Sequence, residues 1–352
     1  MKNAFIFRGL SLLAFALLFQ SCKDEPEVPT PTDTYGSGVF VINEGPFQNG
    51  SGTVTFINRS TSGVQQDVFQ QVNGRPLGNV AQSMASFGTQ GLLVVNNANK
   101  VEFVDLKDFK AVGSVEGLAL PSKIVVAANS GKAYVTEWVA FGSAGRVAVI
   151  DIASRTVIKS IPVGDFPNAI AFHNNRIYVA NSNENTVTEI SLNADTVLRT
   201  ITVGDRPNGF LSQGNTLLVL CAGNPSWTGT ETAGAIVTLT GTGTQTSIAT
   251  FPAATFHPTN FTSHPDGSAV LYEVNGAVYS QAVPVGANIV PSNPVINRGF
   301  YHFSLDPAAD GLLYGTDARD FASNGWIYRY ERTFSLKDSI PAGIAPGYIY
   351  YR

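Results

Sequence analysis

At 352 residues, with 34 glycines, 19 prolines and 44% hydrophobic residues, the chain has the make-up of one large, turn-rich repeat domain rather than a disordered protein. A formal charge of −4, with charged residues only 14% of the total, gives no electrostatic reason for a nucleic-acid or anionic-membrane partner. Two cysteines, Cys22 and Cys221, exclude a disulfide framework.

Residues 1–22 read as a processing segment. Lys2 and Arg8 form its basic part, Leu10 to Phe19 its apolar part, and Ser21-Cys22 its end. The apolar run is too short to span a bilayer and has secretory flanks. Cys22 after a small residue resembles the bacterial lipobox, although Phe19 stands where leucine is usual. That resemblance implies a lipidated Cys22 and membrane attachment by the lipid alone. Lys23-Asp24-Glu25-Pro26-Glu27 resembles the acidic signal that sends Bacteroidota lipoproteins to the cell surface. Residues 23–35 are expected to be a flexible tether, rich in Pro and Thr; at about 3.1 Å per residue the stretch reaches roughly 45 Å. With Cys22 lipidated, Cys221 has no partner and reads as a small buried hydrophobe.

From residue 36 onwards the chain repeats. Seven β-rich runs recur: Val39 to Asn43, Leu92 to Asn96, Ala133 to Glu137, Ile177 to Asn181, Leu217 to Cys221, Ala269 to Glu273 and Leu312 to Asp317. Their starts lie 40 to 53 residues apart. Each is followed by a second strand, from Val54 to Ile57 through to Ile327 to Tyr330, and less clearly by an outer one such as Val157 to Val163. The corner Val163-Gly164-Asp165-Phe166-Pro167-Asn168 returns as Val203-Gly204-Asp205-Arg206-Pro207-Asn208. A period of this size with several strands per unit predicts an all-β, seven-bladed β-propeller over residues 36–352.

A further strand precedes six of the seven runs, usually after a proline corner; Lys123 to Ala127 and Ala169 to Phe172 are examples. Blade one has none before Val39. The seventh candidate is Gly347 to Arg352, so the C-terminal strand is expected to close the ring by pairing into blade one.

The pattern resembles YVTN-type seven-bladed propellers. Asn43-Glu44-Gly45, Asp67-Val68-Phe69, Val72 to Gly78 and Ala81-Gln82-Ser83-Met84 further resemble the YncE-like surface lipoproteins of Bacteroidota. Some members of that group capture corrinoids and pass them to an outer-membrane TonB-dependent transporter. The resemblance therefore implies a small-molecule ligand, a corrinoid or similar nutrient, with such a transporter as partner.

The repeat order puts two sets of loops on one face: the corners leading into the inner strands, and the loops between each blade's second and third strands. Long loops there carry Phe47, Trp138, Phe141, Trp227, Arg319 and Phe321, and the corners add Arg75, Arg206, His257, Arg298 and Tyr301. These are the expected ligand-binding residues, aromatics giving planar contact and arginines directed donors. The four histidines lack metal-ligand spacing; His173 and His264 fall in turns of the opposite face and read as surface residues. Asp105 and Asp151 read as turn residues. No nucleophile elbow, dinucleotide fingerprint or P-loop occurs, so neither a cofactor nor catalytic residues are expected. The competing expectations are an enzyme of the lyase or quinone-dependent dehydrogenase kind, and an adhesin or protein-interaction scaffold.

Overall fold

The computed structural model describes residues 34–241, 243–308 and 311–352; the leader, Cys22 and nearly all of the tether lie outside them. Seven antiparallel sheets follow one another along the chain, six of four strands and one of three. They form a seven-bladed propeller. The inner strands are Ala81–Phe87, Pro121–Ala127, Pro167–His173, Pro207–Gln213, Thr259–Ser263, His302–Leu305 and Pro346–Tyr351, for blades two to seven and then one.

The last of these closes the ring. Val39 pairs with Tyr351, Val41 with Ile349 and Ile42 with Tyr348. Gly38, at the start of its strand, and Arg352, just past the end of the last one, exchange both backbone hydrogen bonds. Arg59 donates to the Arg352 carbonyl and binds Asp306 of blade seven at 2.5 Å, where the aspartate is fully buried.

Blade stacking explains the sequence pattern of the repeated runs. Val39-Phe40-Val41-Ile42 is buried at every position because its strand has a neighbouring blade against each face. Seven apolar clusters lie between adjacent blades, one for each junction. Outer strands instead face solvent over much of their length, as in Thr156–Asp165.

The recurring Asn of the runs is structural. Asn181 Nδ2 donates to Thr186 and Thr188, and its Oδ1 accepts from the Gly164 amide in the corner. A Cβ on Gly164 would stand 2.6 Å from the Asn181 side chain, so the Gly-Asp corner needs glycine there. Cys221 takes the equivalent position in blade five beside Gly204, fully buried, with its thiol pushed up to about 12 by desolvation.

Two features depart from the expected pattern. Blade one replaces a long outer strand with Val64–Gln65 and a short helix, Val68–Asn73, capped by Asp67 and Gly74. His173 is buried rather than a surface turn residue: its ring packs 6.4 Å from Tyr178 and its Nδ1 lies 3.1 Å from the Ser212 hydroxyl. The end of its inner strand is covered by blade five.

Candidate functional site at the mouth of the central channel

The inner strands begin at one end of the channel, and a cavity of about 590 Å³ opens there. That is the size of a small-molecule site, typically roughly 300–1,000 Å³. All seven blades contribute to its wall. Polar side chains come from the starts of the inner strands: Gln82, Ser83, Lys123, Asn168, Asn208, Asn260 and His302. Phe47, Trp138, Phe166, Phe261, Tyr301 and Tyr348 form the aromatic part, with Glu44 beside Tyr301.

Backbone strain at the corners aims some of these groups. Phe166 and Arg206, each just before the corner proline, adopt φ values of 52° and 54°. Non-glycine residues are uncommon in this left-handed region. Phe166 stacks on Trp138 with ring centres 4.6 Å apart, and Phe141 approaches Phe166 at 6.1 Å. Arg206 lies 5.4 Å over the Trp227 ring. Gly145 makes room for the Phe166 corner, since a Cβ there would meet Pro167 at 2.4 Å.

The expected binding residues divide into three groups. Phe47, Trp138 and Tyr301 line the cavity itself. Phe141, Trp227, Arg206 and Phe321 belong to the surrounding rim; Phe321 meets Tyr301 edge-on at 5.1 Å. Phe47, Phe141 and Trp227 are 70%, 74% and 76% exposed, which leaves their apolar faces free for a partner.

The third group is occupied within the protein. Arg75 binds Glu102 at 2.6 Å and covers the Phe69 ring. Arg298 binds Asp317 at 2.8 Å and stacks on Tyr328 at 3.6 Å. His257 spans the Ala222 carbonyl and Glu231, at 3.0 and 3.2 Å. Arg319 reaches the Asn324 carbonyl at 3.4 Å. These four residues hold loops and blades in place and do not line the cavity.

Sequence reading passed over Lys123, Phe166, Glu44 and His302 as site residues. A usable signal existed for Lys123, a charged residue near the start of an inner strand that faces the central channel. The Phe166 signal was its place in the repeated corner, opposite Arg206. Glu44 accepts from Tyr301 Oη at 2.9 Å, and burial raises its pKa. Lys123 Nζ donates to the Gln82 carbonyl at 3.3 Å and lies 5.4 Å from the Tyr348 ring centre. Burial pushes the Lys123 ammonium down, against the pull of Glu44. His302 stacks on Tyr348 at 5.8 Å and is pushed down to about 3 by desolvation and by Lys123.

The arrangement can hold a ligand through flat apolar contact, amide hydrogen bonds and one ammonium. Among the described residues, no three His, Cys, Asp or Glu side chains gather as a metal site would require. Asp105 and Asp151 accept from the turn amides of Lys107 and Ser154, as their turn positions predict.

Several solved structures share the fold at low identity. A quinonprotein alcohol dehydrogenase-like protein from Bacteroides thetaiotaomicron is 15% identical with a TM-score of 0.68, covering 90% of this chain and 78% of its own. A functionally unknown protein from Desulfotomaculum acetoxidans is 14% identical with a TM-score of 0.64, covering 90% and 98%. Hydrazine synthase from Kuenenia stuttgartiensis is 17% identical with a TM-score of 0.57, covering 76% and 88%. At such identities the likeness is one of fold alone. Among curated proteins none matches the chain. The model of one family does match residues 37–333, from the first strand of blade one into blade seven, and the chain belongs to that family, described as a domain of unknown function (DUF5074).

Proposed function

We propose that this propeller captures a small-molecule ligand at the mouth of its channel and carries out no chemistry on it. The observation behind this reading is the convergence of aromatic faces from several blades around one cavity, on the face that bears the long loops. Loops seated on rigid strands lower the ordering cost of binding. In this reading the ligand is a corrinoid or a similar large nutrient whose planar face lies against the aromatic rim. The chain is held at the outer-membrane surface by lipid on Cys22, and a TonB-dependent transporter receives the ligand. Those finer statements rest on the sequence resemblance.

Calorimetry with cobalamin and cobinamide tests the proposal. Trp138→Ala is expected to cost about 2 kcal/mol or more of binding energy, a loss of roughly thirtyfold. His264→Ala is the control, because His264 sits in a turn at the far end of blade six, paired with Asp266. Failure of the wild type to bind either corrinoid removes that ligand class. Binding that survives Trp138→Ala but is lost in His264→Ala puts the site on the opposite face.

A further inference from the structure

Lys123 is the one cationic side chain among the described residues that lines the cavity. Several lysines and arginines elsewhere at the blades are matched to carboxylates, as in Lys100 with Glu102, Lys132 with Asp195 and Arg176 with Glu189. Lys123 has instead a single carbonyl acceptor and the face of a tyrosine ring. A half-buried ammonium with no carboxylate in contact, and only the longer-range pull of Glu44, is a costly group to hold in a wall. Two further polar atoms on the same wall, Trp138 Nε1 and Asn208 Oδ1, are buried with no hydrogen-bond partner. Unsatisfied groups of this kind call for an explanation, and these two belong to residues of the wall that also carries Lys123.

We propose that the cavity fastens its ligand through an anionic group, a carboxylate or a phosphate, seated on the Lys123 ammonium. The inference rests on the capture reading and names the chemistry of the captured group. The ligand's body then lies on Trp138 and Phe166, whose stacked rings stand on the adjoining loop and corner.

Among the described residues, Glu44 is the one carboxylate on the wall. Burial raises its pKa and lowers that of Lys123, while each feels the other's charge. An arriving anion favours charged Lys123 and protonated Glu44. Affinity for an anion therefore falls as pH rises, through loss of the ammonium and through ionisation of Glu44. The remaining titratable groups on the wall stay neutral near pH 7: His302 is held down to about 3, Tyr348 is pushed up to about 12, and Tyr301 is pushed higher still.

The test uses the full chain with benzoate and phenylphosphonate as anionic probes and benzamide as their neutral counterpart. At least one anion is expected to bind more tightly than benzamide. Lys123→Met should cost about thirtyfold in anion affinity, leave benzamide unchanged and not lower the melting temperature. If Lys123→Met fails to fold, Lys123→Gln is read in the same way. Glu44→Gln should strengthen anion binding and flatten its dependence on pH. The two anions separate a carboxylate ligand from a phosphate one. Unchanged anion affinity in the lysine variants, benzamide binding as tightly as both anions, or no saturable anion binding overturns the anchor. Weaker anion binding in Glu44→Gln overturns it too, since the bound group then meets Glu44. Benzamide binding that disappears in Trp138→Ala leaves capture standing when the anchor falls; if neither the probes nor the corrinoids bind, both fall.

Discussion

Desolvation at the cavity wall, with the Lys123 charge nearby, pushes the His302 imidazole down to about 3. An unfolded histidine titrates near 6.5. Between those values the unfolded chain binds more protons than the folded one, so stability falls as pH drops from about 6.5 towards 3. Above about 6.5 both states hold a neutral ring and the effect vanishes. His302→Phe keeps a ring against Tyr348 and removes the titration. Its melting temperature is expected to fall less between pH 7 and pH 4.5 than that of the wild type; an equal fall in both proteins refutes this account. The same residue shows what the sequence conceals at this scale. His302 lies beside a corner and can be read as facing the channel, but its neighbours Lys123 and Tyr348 come from other blades. Arg75 and Arg298 stand off the cavity wall for a related reason. Residue type favours them as ligand donors, whereas the fold brings Glu102 and Asp317, both on strands, up to the loops that carry the two arginines and neutralises them.

The C-terminal strand Pro346–Tyr351 touches three blades at once. It pairs with Gly38–Asn43 in blade one. Tyr350 Oη lies 2.5 Å from the Ser86 hydroxyl of blade two, and Tyr351 Oη donates to the Ser304 carbonyl of blade seven at 2.8 Å. Ile349 and Tyr351 also pack in the apolar cluster between blades seven and one. Deleting Tyr348 to Arg352 bares an edge of blade one and opens that cluster, two established routes to severe destabilisation. The expected loss is about 4 kcal/mol or more, the range reserved for major structural damage. An unchanged melting temperature in the truncated protein contradicts the closure seen in the fold. This element was legible because counting inner strands left blade one without a partner. The helix Val68–Asn73 was not, since Val-Phe-Gln-Gln-Val-Asn carries as much strand as helix preference. Its caps, together with burial of Val68 and Phe69 between blades one and two, decide the outcome.

Across the whole molecule, a 40-residue shift between two Gly-Asp corners was enough to announce blades, but spacing along the chain carries no information on the width of the channel mouth. It does carry the direction of the chain, which bears on anchoring. Thr34 donates its backbone N–H to the Lys107 carbonyl, and Tyr35 packs between Phe56 and Phe109. Lys107 lies in the turn after the strand Lys100–Asp105, at the end of blade two remote from the cavity. The chain therefore joins the propeller on the face opposite the mouth. If Cys22 carries the proposed lipid, its attachment enters the propeller at the end remote from the cavity. Cys22→Ala is then expected to move the protein from the membrane fraction to the soluble one. Its melting temperature and ligand affinity should match the wild type, because no residue of the mouth lies near Thr34. Protease added to intact cells should digest the wild type if it stands on the outer surface. Retention of Cys22→Ala in the membrane fraction removes the lipid anchor from the proposal, and resistance of the wild type to protease removes the surface. Loss of ligand affinity in the released protein would mean that the segment before Thr34 reaches the mouth after all, against the direction in which the chain joins blade two.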